Sequence, residues 1–311
     1  MSAAIPSAPR APILAAHLAL VGAQVCFGLI PIFGLIAFRP GGFTPLGLSA
    51  WRLSAGAAIL LALAFAAHGR AAFPARADLP RFAIAGALGV ALNQWLYLEG
   101  LSRSTPINAA LMMCLIPVFT IVMAAAVGLE VLRAARIAGV FLALSGTVIL
   151  LLDRGLTGLG PYALGNSLMA SNAVLYSGFL IVAKPLAQRY PPVVMMAWAY
   201  ALSLPFVPVL AFGERLTPEP GHAAAWWSLA YIIVFPTVLS YLFNAYALAR
   251  VRASTTAIYV YLQPFIAALA SWVAFRERPT PAMLLAAVAM FAGIWLVSRR
   301  AQEEGPVAAA R

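Results

Sequence analysis

Two ionisable side chains fall inside otherwise apolar runs. Arg52 lies about two helical turns into the run 45–67, and Glu99 lies in the last turn of the run 81–101. A charge placed in hydrocarbon is costly unless it is paired or hydrated. One chemistry has Arg52 holding a substrate carboxylate, with Glu99 carrying a proton or meeting an ammonium group. The competing readings are structural: the two pair with each other, or Glu99 pairs with Arg103 four residues on.

Uncharged polar residues form a second set. Asn93 and Tyr97 are four apart and share a helical face, as do Asn108 and Met112, Ser240 and Asn244, and Thr255 and Tyr259. Gln263 is one turn beyond Tyr259, and Gln24, Asn172 and Tyr176 supply further polar positions. Amides in hydrocarbon need partners, so they face a bundle interior or a wet cavity. Gln24, Asn93, Tyr97, Asn108, Met112, Asn172, Tyr176, Ser240, Asn244, Thr255, Tyr259 and Gln263 are therefore the expected walls of a substrate cavity. Isolated interhelical hydrogen bonds are the competing reading.

Other chemistries have little to hold. His17, His68 and His222 lie near the ends of apolar runs, with no Cys or acidic residue at metal-ligand spacing. Cys26 and Cys114 both lie within apolar runs and give no disulfide framework. There is no nucleophile–base arrangement and no Gly-Lys-Ser/Thr phosphate loop. No metal, no cofactor and no enzymatic activity are expected.

The elements that must position these residues follow from composition. The chain has 311 residues, of which 63% are hydrophobic and 9% charged. Soluble domains carry about 25% charged residues, so an all-α polytopic membrane protein is predicted. Net charge is +11, which reads as loop topology rather than nucleic-acid binding, since no basic cluster interleaves with aromatics. Ten runs are long enough to span: roughly 17–37, 45–67, 81–101, 105–127, 134–152, 160–183, 192–212, 224–248, 253–275 and 280–298. Residues 1–16 and 299–311 are expected as cytoplasmic tails.

The runs repeat. An offset of 147 pairs Trp51 with Trp198, Leu92 with Leu239, Pro117 with Pro264, Glu130 with Glu277 and Gly146 with Gly293. The chain thus divides into five-helix halves at 17–152 and 153–298. The polar pairs are mates under the same offset: Asn93 and Tyr97 map to Ser240 and Asn244, and Asn108 and Met112 map to Thr255 and Tyr259. Pro117 and Pro264 sit near the centres of their helices, each depriving the carbonyl four residues back (Met113, Val260) of its donor. They are expected hinges. Glu130 and Glu277 precede the fifth helix of each half and are expected to cap or fix loops.

With the N-terminus cytoplasmic, 13 Lys and Arg fall on the cytoplasmic side and 6 on the other, with Arg52 inside a span. This puts both termini inside. Five spans per half then oblige the second half to enter from the opposite face, giving inverted repeats, an architecture of secondary transporters.

Several runs carry a family resemblance. Leu96-Tyr-Leu-Glu-Gly-Leu, Asn108-Ala-Ala-Leu, Pro117-Val-Phe, Glu130 and Ala138-Gly-Val-Phe-Leu-Ala-Leu-Ser-Gly146 resemble the EamA-type repeat of the drug/metabolite transporter superfamily. Tyr246-Ala-Leu, Thr255-Thr-Ala, Pro264-Phe, Glu277 and Gly293 are the second copy, and Arg52 matches a basic position common in that repeat. The resemblance implies a ten-helix fold with a central cavity lined mostly by helices 1, 3, 4, 6, 8 and 9. It also implies export of amino acids or related amphipathic metabolites from bacterial cells. The second half departs from it, with Ala199 at the mate of Arg52. The expected partners are a small-molecule substrate and the lipids of a bacterial inner membrane, with a proton as candidate coupling ion. A lipid-linked substrate flippase and a cofactor-free membrane enzyme are the alternatives.

Overall fold

A computed structural model describes residues 13–130, 134–153, 160–266, 269 and 280–303. Every regular element among the described residues is helical. We number the helices along the chain: α1 Ile13–Ala37, α2 Pro45–Ala72, α3 79–102, α4 106–126, α5 Ala134–Asp153, α6 Ala163–Arg189, α7 Pro192–Ala211, α8 Ala223–Leu248, α9 253–266 and α10 Pro281–Glu303. Six of them, α1, α2, α4, α6, α7 and α8, are long and apolar enough to cross a membrane. A bilayer core needs about 20 helical residues, so the chain is a multi-pass membrane protein.

Local chemistry sets the helix starts. Thr44 accepts a hydrogen bond from the Gly47 amide at 3.2 Å, and Thr105 accepts one from the Asn108 amide at 3.1 Å. A proline follows each threonine, at a position whose N–H would have no intrahelical partner.

Both predicted proline sites interrupt their helices, in different ways. In α4 the chain breaks at Cys114–Leu115, between Pro106–Met113 and Ile116–Ala126. In α9 it tightens into a 3₁₀ turn over Tyr259–Tyr261. A second pair of irregularities was not anticipated. Helix α3 widens into a π turn at Ala87–Ala91, and α8 does so at Ile233–Leu239. The offset of 147 carries the first onto 234–238, inside the second. Such π turns concentrate at functional sites. Pro236 within the α8 turn, opposite Gly89 in α3, was the sequence signal for them.

Helices α5 and α10 meet through glycine. A Cβ on Gly293 would lie 2.5 Å from the Gly139 carbonyl oxygen, and one on Gly146 would lie 2.7 Å from that of Ala286. Backbones that close pack by van der Waals contact, which replaces the hydrophobic drive that lipid does not supply. The opposite face of α10 leaves Leu284, Val288, Phe291 and Trp295 exposed.

Loops join the two halves at both ends of α2. At its start, the Glu219 amide donates to the Gly41 carbonyl at 2.8 Å and Trp51 Nε1 donates to the Leu216 carbonyl at 2.7 Å. Beyond its end, Arg189 lies 2.8 Å from Asp78, the Ala75 amide donates to Tyr190 Oη at 3.1 Å, and Trp198 Nε1 donates to the Ala72 carbonyl at 2.7 Å.

Candidate substrate cavity

A cavity of about 50 Å³ lies between the two halves. Its walls combine polar ends (Gln24, Arg52, Asn93, Gln94, Asn172, Gln263), rings (Phe27, Tyr97, Tyr176, Tyr241) and aliphatic surface (Ile30, Met113, Ile116, Val260). Three pairs of these residues are mates at the 147 offset: Gln94 with Tyr241, Met113 with Val260, and Ile116 with Gln263. The cavity therefore sits on the relation between the repeats. Met113 and Val260 are also the residues whose carbonyls lose their donors to Pro117 and Pro264.

The wall is cross-braced from half to half. Tyr241 on α8 donates to the Gly89 carbonyl inside the π turn of α3, at 2.6 Å. In return, Arg52 Nε on α2 donates at 3.0 Å to Thr237 Oγ1 inside the π turn of α8. Thr237 in turn donates to the Ile232 carbonyl at 2.7 Å. The α3 turn thus has a backbone carbonyl bound by the other repeat, and in the α8 turn Thr237 satisfies its own helix's carbonyl while accepting from Arg52, which is how irregular backbone survives at membrane depth. Gln94 donates to Tyr200 Oη at 2.8 Å, Asn172 to the Asn93 carbonyl at 2.6 Å, and Gln263 to Gln24 Oε1 at 2.7 Å.

The charges divide. Arg52 is 3% exposed and lines the cavity, and among the described residues no acidic side chain lines it. Glu99 is bound to Arg103, whose Nε lies 2.7 Å from Oε1, and the pair sits at the rim of a separate open cleft shared with Arg39, Arg215 and Glu219. Of the readings open at the outset, the Glu99–Arg103 pairing is the one the geometry shows. Arg52 and Glu99 do not pair.

Comparison with known proteins agrees with this arrangement. The family model described as "EamA-like transporter family" matches residues 14–152 and again residues 163–299. The chain belongs to the EamA-like transporter family. A "Probable terminal-alkyne amino-acid exporter" of Streptantibioticus cattleyicolor is 29% identical over 270 residues, covering 85% of this chain and 88% of the relative. An "Uncharacterized transporter" of Archaeoglobus fulgidus is 24% identical over 82% of this chain and 88% of its own. A crystal structure superposes with a TM-score of 0.74 at 20% identity, over 94% of this chain and 99% of the other, which shows a shared fold.

Within that EamA fold, the predicted residues separate into two groups. Gln24, Asn93, Tyr97, Asn172, Tyr176 and Gln263 line the cavity, and Asn108, Met112, Ser240, Asn244, Thr255 and Tyr259 do not. The second group is buried or half-buried elsewhere, within or between helices. Ser240 donates to the Ala23 carbonyl of α1 at 3.1 Å, and Asn244 donates to the Ser240 carbonyl at 2.9 Å. Tyr259 Oη lies 2.7 Å from His17 Nδ1, and Asn108 and Thr255 are buried near the starts of their helices. Met112 packs against the main apolar core. The cavity positions in α4 and α9 are one residue further on, at Met113 and Val260, where the helices are irregular.

Gln94, Phe27 and Tyr241 were missed. Gln94 and Tyr241 are mates, but their side chains share no chemistry, so a search for matching polar residues passes over them. Glu130 is a capping carboxylate, though for a different helix. Its oxygens accept from the amide (3.1 Å) and hydroxyl of Ser254, in the first turn of α9, and it pairs with Arg136 at 3.2 Å. Glu277 lies outside the described residues.

Proposed function

We propose that the protein is a secondary transporter that exports amino acids or related amphipathic metabolites across the bacterial inner membrane by alternating access. The observation that carries this reading is the cavity walled by repeat mates from both halves and flanked by two broken helices. Discontinuous helices at a repeat interface are where transporters place their substrate. The printed name of the S. cattleyicolor relative, an amino-acid exporter, supports the substrate class.

The loop contacts support inverted repeats, and the hydropathy and the count of basic residues support ten spans with both termini cytoplasmic. The loop after α2 and the loop after α7 are mates, yet they lie at opposite ends of α2. Mates at opposite ends belong to repeats that run in opposite directions. Rocking one half against the other would then open the cavity alternately to each side. Among the described residues no acid–base pair lines the cavity, which favours transport over catalysis, and a proton is the candidate coupling ion.

The test is flux. Purified protein in proteoliposomes should move at least one labelled apolar amino acid down its gradient, faster than protein-free liposomes. No movement of any member of an amino-acid panel, under proton and sodium gradients of either direction, would overturn the proposal.

A further inference from the structure

We propose that the cavity recognises its substrate by the carboxylate, through Arg52, and has no anionic counterpart for an ammonium group. Amino acids and the matching 2-oxo acids are then comparable ligands, and the matching amines are refused. This deepens the transporter reading and takes its physiological meaning from it.

The argument starts from an unpaired charge. Arg52 is nearly fully buried, and its hydrogen bond among the described residues is the one from Nε to Thr237. No carboxylate of the described residues forms an ion pair with it; the acidic groups at span ends pair with Arg103, Arg136, Arg189 and Arg215 instead. The Thr237 bond fixes the plane of the guanidinium and leaves both Nη groups for something else. A guanidinium presents a fork that matches a carboxylate with two parallel hydrogen bonds. A buried, uncompensated cation is strongly unfavourable, and an incoming carboxylate would remove that cost.

A second polar group in the wall is a neutral acceptor. Gln94 is 2% exposed, and Tyr200 engages one end of its amide. The other end, Oε1, is buried with no hydrogen-bond partner. Among the described residues the cavity thus holds one cation, one unsatisfied amide acceptor and no anion. Phe27, Ile30, Met113 and Ile116 offer apolar surface for the rest of the ligand. An amine without a carboxylate would add a second positive charge beside Arg52 in a low-dielectric space, where like charges repel strongly. A 2-oxo acid forfeits only a neutral contact.

The competing account is that Arg52 serves only to brace the π turn of α8 through Thr237, and the experiment separates the two. Ligand-induced shifts in thermal unfolding would be measured on the protein in lipid nanodiscs. The ligands are leucine, 4-methyl-2-oxopentanoate and 3-methylbutylamine, and phenylalanine, phenylpyruvate and 2-phenylethylamine. In at least one series the 2-oxo acid should bind within about threefold of the amino acid. The amine should bind at least about tenfold more weakly, the scale of one charge-assisted hydrogen bond. Arg52→Gln should abolish that difference and Arg52→Lys should keep part of it. Thr237→Val, which frees the guanidinium but keeps its charge, should weaken acid binding and still leave the acid preferred to the amine. The inference is overturned if the wild-type protein binds amine as tightly as acid, or if none of the six ligands shifts unfolding. It is equally overturned if Arg52→Gln still discriminates, or if Thr237→Val loses discrimination as Arg52→Gln does. The wild-type comparison stands even where a variant does not fold. Ligand discrimination with no flux in proteoliposomes would instead overturn the transporter reading and leave this one standing.

Discussion

Glu99 is a carboxylate in a polytopic chain that invites a role in proton coupling, and its surroundings argue otherwise. Its side chain is 17% exposed and its partner Arg103 is 52% exposed, so the pair sits at a wet rim rather than in the cavity. An ion pair in that setting contributes about 0.2–1 kcal/mol. Glu99→Gln is therefore expected to keep flux within about threefold of wild type, given what such a pair is worth, and to leave any dependence on a proton gradient intact. Proteoliposome flux with and without an imposed pH gradient checks this; abolition of gradient-driven flux alone would reinstate Glu99 as the carrier. The position of Glu99 near a span end was legible in the sequence. Its choice between Arg52 and Arg103 was not, because both partners lie within reach of a residue in that last turn. The i, i+4 spacing to Arg103 is local, while reaching Arg52 requires α2 and α3 to pack in one particular rotation.

At the scale of elements, the paired helices α5 and α10 depend on the absence of a side chain. Gly146 and Gly293 are repeat mates, and both sit where another backbone comes too close for a Cβ. Gly293→Val would force the helices apart, with overpacking costs of typically about 1–3 kcal/mol. The expected outcome is a lower unfolding temperature in nanodiscs, with residual ligand binding preserved because neither helix lines the cavity. An unchanged unfolding temperature would show that the pair can separate freely. This pairing was half visible beforehand, since the two glycines stand in register across the repeat, though which helices they join was not. The same limit applies to the cavity. Proline and polar residues placed it on the right helices, because those residues are expensive in hydrocarbon and must be used. The choice of face was lost beyond the π turn of α8 and beside the breaks in α4 and α9. A face inferred from 3.6 residues per turn does not carry through such irregular stretches, so Met113 and Val260 replace Met112 and Tyr259 at the wall.

For the whole molecule, the decisive quantity is the side of the membrane on which each loop lies. The count of basic residues predicts which side each loop lies on, and the loop contacts, from unrelated physics, are those of repeats running in opposite directions. The two inputs meet at Ala71, just before the end of α2, and Thr217, in the loop after α7; under the 147 offset Thr217 is the mate of Arg70, the residue beside Ala71. Both are exposed, so each accepts a probe without disturbing packing. With Cys26 and Cys114 replaced by Ala, Ala71→Cys and Thr217→Cys should react from opposite faces of intact spheroplasts. A membrane-impermeant maleimide should label Thr217→Cys directly and Ala71→Cys only after the membrane is opened. Labelling of both from outside would mean that the repeats run in parallel. In that case the two halves could not exchange roles across the membrane, and the cavity between them would open to the same side in each half. Opposite labelling leaves one geometry in which Met113 and Val260, on helices of opposite direction, face each other across a shared cavity. That geometry lets a single carboxylate site at Arg52 be presented first to one side and then to the other.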